Sequence, residues 1–72
     1  MEKSKQEKLK LWKKQATELE KELGEAMIKK GEAAQEGDLR ENAKYQDARD
    51  QAEVLSVRLG NIQKMIKDLE TQ

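Results

Sequence analysis

Seventy-two residues, 42% charged and 35% apolar, make one small domain without a large globular core, so stability must come from a partner, a metal or very regular helix packing. Cysteine and histidine are absent, which excludes disulfides, ordinary zinc sites and Cys–His or Ser–His catalysis. The net charge is zero but unevenly spread, with a balance of plus four over residues 1–15 and minus four over residues 32–53.

The first predicted element is a helix over about residues 3–36. It opens with Lys3, Lys5, Lys8, Lys10, Lys13 and Lys14, a solvated lysine-rich start that leaves a contact with nucleic acid or an acidic protein as the lesser reading. Leu9, Trp12, Ala16, Leu19, Leu23, Ala26, Lys30 and Ala33 alternate spacings of three and four, a heptad seam in which only Lys30 is polar. Trp12 lies in that seam and reads as core rather than as a base-stacking platform. Lys30 can bury its stem and send its charge outward. Gly24 and Gly31 follow Thr17 at intervals of seven on one flank, where small residues admit another helix closely.

A tip turn follows over about residues 37–40, and a second helix over about residues 40–71. Gly37 suits the position just past helix one, where positive φ is common. Asp38 suits the N-cap of helix two, with Glu41 three residues on as the partner of a capping box. Along helix two, Tyr45, Ala48, Ala52, Leu55, Leu59, Ile62, Ile66 and Leu69 repeat the seam without a break. The chain contains no proline, and good helix formers dominate.

The two seams match when the chain is folded back at Leu39. Leu9 then meets Leu69, Trp12 meets Ile66, Leu23 meets Leu55, Ala26 meets Ala52 and Ala33 meets Tyr45. The expected fold is all-α: a single domain over residues 1–72, an antiparallel two-helix coiled-coil hairpin about 45–50 Å long. Alanines near the turn make the tip slender. Leu11, Met27, Ile28, Val54, Val57 and Met65 fall off the seam, which leaves open whether the hairpin self-associates as a homodimer or four-helix bundle. The pattern gives no reason for Gly60.

The turn supports two readings. As structure, Gly-Asp-x-x-Glu is a complete helix start. As chemistry, two carboxylates at i and i+3 share one face of a helical turn. Such a pair is too poor in ligands to hold Mg²⁺ alone, but it can complete a site that another macromolecule half-builds.

The stretch Gly37-Asp38-Leu39-x-Glu41-Asn42-Ala43-x-Tyr45, followed by Ala48-Arg49 and Gln51, resembles the tip motif of the bacterial Gre transcript-cleavage factors, and the hairpin register extends the likeness over essentially the whole chain. The resemblance implies a coiled coil that enters the secondary channel of bacterial RNA polymerase. Its tip acids help position a catalytic Mg²⁺ and water, and so stimulate hydrolysis of backtracked RNA. Asp38 and Glu41 would be the metal-proximal acids, lent to the polymerase site. Gly37, Leu39, Asn42 and Tyr45 would shape and brace the tip. Arg40 would meet polymerase or RNA, and Arg49 matches an arginine on the tip-proximal part of helix two.

On this resemblance the chain is not itself an enzyme, binds no cofactor alone, shares Mg²⁺ with polymerase, and touches nascent RNA only indirectly. The 72 residues stop at Gln72, where the family's C-terminal docking domain would begin, which leaves open a domain of a longer protein and a hairpin-only relative, and Lys44 stands where the family often has an acid. The alternatives are a structural or interaction coiled coil, and a channel-occupying inhibitor that does not stimulate cleavage. No apolar run approaches the about 20 residues of a membrane span and no secretory leader opens the chain, so a cytoplasmic protein with no membrane partner is expected.

Overall fold

The computed structural model describes residues 4–37 and 42–72. They form two helices, α1 (Lys5–Ala34) and α2 (Ala43–Glu70), with no strand among the described residues. The helices pack along their lengths as a rod of 53 × 19 × 15 Å. Each end of α1 is closed locally. The Ser4 Oγ accepts from the Glu7 backbone N–H at 3.2 Å, relieving one of the unpaired donors of the first turn. At the other end Gln35 and Glu36 donate to the carbonyls of Glu32 and Ala33, a tightened last turn. Gly37 then takes φ +144°, a conformation that side chains disfavour.

The predicted seam is the interior. Leu9, Trp12, Ala16, Leu19, Leu23, Ala26, Lys30 and Ala33 of α1, and their eight counterparts on α2, are all buried or half-buried. Beyond them only Asn42 and Gln46 are, among the described residues. The most deeply buried are Ala16, Ala26, Ala33, Ala48, Leu55 and Ile62. Small side chains dominate this set because two helices cover only one another's facing stripe. An alanine disappears there, whereas Leu9 or Trp12 projects past the cover. Alanine also permits the shorter end of the usual range of helix separations, and Ala26, Ala33 and Ala48 cluster in the half nearest the turn. The six off-seam apolar residues are exposed: Leu11, Met27, Ile28, Val54, Val57 and Met65.

Contacts between the helices fix the antiparallel register. At the open end Lys13 pairs with Glu70 at 3.1 Å, and the Lys5 ammonium donates to the Gln72 carbonyl at 3.1 Å. At the turn Lys44 pairs with Glu36 at 3.5 Å. Lys30 is half-buried, with its ammonium 5.9 Å from the centroid of the Tyr45 ring. The ion pairs are exposed and add about 0–1 kcal/mol each. Burial of the seam therefore carries the stability.

Leu55, only 4% exposed, tests this. Leu55→Ala should cost about 2–4 kcal/mol, enough in so small a fold to abolish the cooperative urea transition seen by circular dichroism. Val57→Ala, at a position 63% exposed, should stay within about 0.5 kcal/mol of the parent. Equal losses would mean that the seam is not the core.

Candidate functional site at the hairpin tip

The tip is built by the end of α1, Gly37, and the start of α2. Asn42 is the N-cap of α2, with extended backbone angles of φ −93° and ψ 97°. Its side chain works in two directions. The amide oxygen accepts from the Tyr45 backbone N–H at 3.1 Å, and the amide nitrogen donates to the Ala33 carbonyl on α1. One side chain thus satisfies a donor left open by the start of α2 and adds a second donor, across the turn, to the Ala33 carbonyl that already accepts from the Glu36 N–H. Tyr45 lies half-buried under Lys30, and Lys44 reaches Glu36 across the gap. These three contacts hold the helix ends together on either side of the connecting residues.

The start of α2 corrects one expectation. Asp38 was the expected cap and Glu41 its capping-box partner, but the cap is Asn42 and the first turn of α2 holds no acidic residue. The physical reason lies in the donor inventory. An ionised carboxylate only accepts hydrogen bonds, whereas a primary amide accepts and donates. Only the amide can serve the Tyr45 N–H and the Ala33 carbonyl together.

Of the residues singled out in the sequence, the structure places Gly37, Asn42, Tyr45 and Arg49. Arg49 lies on the tip-proximal part of α2, exposed, with its guanidinium 3.2 Å from the Asp50 carboxylate. Asp38, Leu39, Arg40 and Glu41 lie outside the described residues. On one flank of the tip is an open groove of about 380 Å³, lined by Glu32, Glu36 and Asp47 and by Lys29 and Lys44. Among the described residues no three acids, histidines or cysteines stand together as a metal site. Asp38 and Glu41 bring two carboxylates, a donor set that fits a hard cation only when a partner supplies further ligands. Asn42 was read only as a brace; its two-way bonding had no separate sequence signal, since asparagine and aspartate cap helices about equally well.

A slender antiparallel hairpin, stapled at its closed end and carrying Gly-Asp-x-x-Glu-Asn between the helices, defines a two-helix coiled-coil domain. The family described as "Transcription elongation factor, N-terminal" matches residues 1–70, and the chain belongs to it: this is an N-terminal coiled-coil domain of the GreA/GreB family. Membership implies RNA polymerase as the general partner. No curated protein and no solved structure matches the chain. No helix among the described residues is long and apolar enough to cross a membrane.

The staple makes its own prediction. Asn42→Ala removes both bonds and should lower stability by about 1–2 kcal/mol in urea unfolding. Asn42→Asp keeps the cap but sets a carboxylate against the Ala33 carbonyl, so it should also destabilise. An aspartate variant as stable as the parent would show that capping alone matters.

Proposed function

We propose that this domain inserts its tip into the secondary channel of bacterial RNA polymerase and promotes Mg²⁺-dependent cleavage of backtracked RNA in the cytoplasm. The observation that carries this reading is the position of the cap. Because Asn42 starts α2, Asp38 and Glu41 are not needed to cap it. Their ordinary structural explanation falls away, while they remain in the segment joining the two helix ends.

The chain's contribution is placement rather than autonomous catalysis. A rod 53 Å long and at most 19 Å across has the form of a probe. The Asn42 staple and the Lys44–Glu36 pair limit the motion of the helix ends flanking the acids. Asp38 and Glu41 would supply two oxygen donors toward a cation whose other ligands belong to polymerase, and would orient a water by hydrogen bonding. The cation, when bound, lowers the pKa of attacking water and stabilises the leaving oxygen. Gly37 and Leu39 would shape the turn, Arg40 would meet polymerase or RNA, and Arg49 would serve as the family's arginine on the tip-proximal part of α2. Nascent RNA is touched only at the polymerase centre. Channel occupancy without stimulation is the second reading, favoured by Lys44, whose positive charge offsets one acid at the tip.

The test is RNA cleavage in a stalled, backtracked bacterial elongation complex with Mg²⁺. The domain at high concentration should accelerate cleavage. Asp38→Asn with Glu41→Gln should abolish the acceleration while leaving folding and polymerase binding nearly intact. Binding with no acceleration by the parent would reduce the domain to a channel-occupying antagonist.

A further inference from the structure

Directly opposite its seam, α2 carries a second stripe at the same alternating spacings of three and four: Asp47, Asp50, Val54, Val57, Asn61 and Lys64. All six are exposed, because α1 packs against the other face of the helix. Val54 and Val57, 50% and 63% exposed, stand together in a shallow groove with Glu53 and Arg58. The polar members are sorted about these valines. The two acids lie toward the turn, and Asn61 and Lys64 lie toward the open end. Among the described residues neither Asp47 nor Lys64 has an ion-pair partner within the chain. Gly60 lies on the flank of the stripe. A Cβ built there meets nothing within 4 Å, so no contact within the chain requires glycine, although glycine is a poor helix former.

We propose that this face joins two copies of the chain as a weak antiparallel dimer, α2 against α2, with the two-fold axis midway between Val54 and Val57. Val54 of each copy then meets Val57 of the other, Asp50 meets Asn61, and Asp47 meets Lys64. Each pair occurs twice. The stripe is thus its own complement, apolar at the centre, hydrogen-bonding beside it and ion-paired at the rim. On one flank Glu53 of each copy lies over Gly60 of the other, where the missing side chain makes room for its stem. On the other flank Gln51 lies beside Arg58. The α1 helices stay on the outer sides, so neither hairpin has to open.

Charge selects this arrangement over its competitors. In a parallel pair every residue meets its own copy, and Asp47, Asp50 and Lys64 would all face like charges. Sliding the antiparallel pair by one heptad sets Val54 against Asp50 in one direction and against Lys64 in the other. Only the register centred between the valines keeps apolar with apolar and acid with base. The contact runs about 27 Å from Asp47 to Lys64 and is one helix face wide, at the low end for specific association, so the dimer forms only at high concentration. It does not depend on the function proposed above.

Sedimentation equilibrium of the chain from about 10 µM to about 1 mM tests the proposal, since contacts of this size bind weakly. The parent should pass from monomer toward dimer across that range. Val54→Gln with Val57→Gln should weaken association at least about tenfold without lowering the melting temperature, because glutamine is the better helix former. Asp47→Lys and Lys64→Asp should each weaken the dimer, and the double swap should recover the parent's affinity to within about threefold. A parent still monomeric at the top concentration overturns the proposal. So does dimerisation that survives the glutamine pair, or a double swap that associates no better than the single changes.

Discussion

Everything in this hairpin depends on one stripe of side chains buried between two helices. A larger domain spreads its core over several elements, but here α1 has only α2 to pack against, and each covers one face of the other. That constraint explains why the deepest residues are mostly alanines. A small side chain is covered completely by the facing backbone, whereas a large one is covered only as far as the partner helix reaches. The same alanines decide the outline of the molecule. Because three of the four, Ala26, Ala33 and Ala48, lie toward the turn, small side chains leave room for close approach at the end that carries the family's tip motif. The bulky pairs of Leu9, Trp12, Ile66 and Leu69 fall at the open end, where thickness is harmless.

The second dependency runs through Asn42. A helix start and a helix end meet at the turn, and each leaves backbone groups without partners. An ionised aspartate would serve the start alone. Asparagine links the two, because its amide donates to the Ala33 carbonyl, beside the Glu36 N–H, while accepting from the Tyr45 N–H. The consequence extends past local stability. With the helix capped by a neutral residue, neither acid of the connecting segment is required as its N-cap. A carboxylate spent on capping would have its lone pairs engaged and be a poorer ligand for a shared cation.

How far this was legible in the sequence follows from the same physics. The seam was readable residue by residue, including the polar exception Lys30, because burial in a two-helix rod is fixed almost entirely by a period that the chain repeats without interruption. The flank residues Leu11, Met27, Ile28, Val54, Val57 and Met65 were legible for the same reason. The cap was not. Asp38 and Asn42 are both good cap residues at plausible positions, and the choice between them depends on a carbonyl nine residues earlier in the chain, which no local pattern reveals. The cap at Ser4 does have a local signal, Ser-x-x-Glu, within the lysine-rich first segment. Residues 38–41, which hold the acids, lie outside the described part, so their chemistry rests on motif and family rather than on geometry.

Lys44 shows how the tip tolerates a charge of the wrong sign. In a turn that presents acids, a lysine one residue into the helix N-terminus opposes both the dipole and the local potential. The structure gives it a partner, Glu36 just past the end of α1, at 3.5 Å, with both side chains largely exposed. An exposed pair of this kind contributes little stability, and salt screens it over about 8–10 Å. Its effect is instead to hold the cation on the flank, where one positive and one negative charge cancel and link the two helices. The net sign of the connecting segment is then left to Asp38 and Glu41 against Arg40. The departure from an acid at this position thus trades some negative potential for a second cross-link at the helix ends, beside the one made by Asn42.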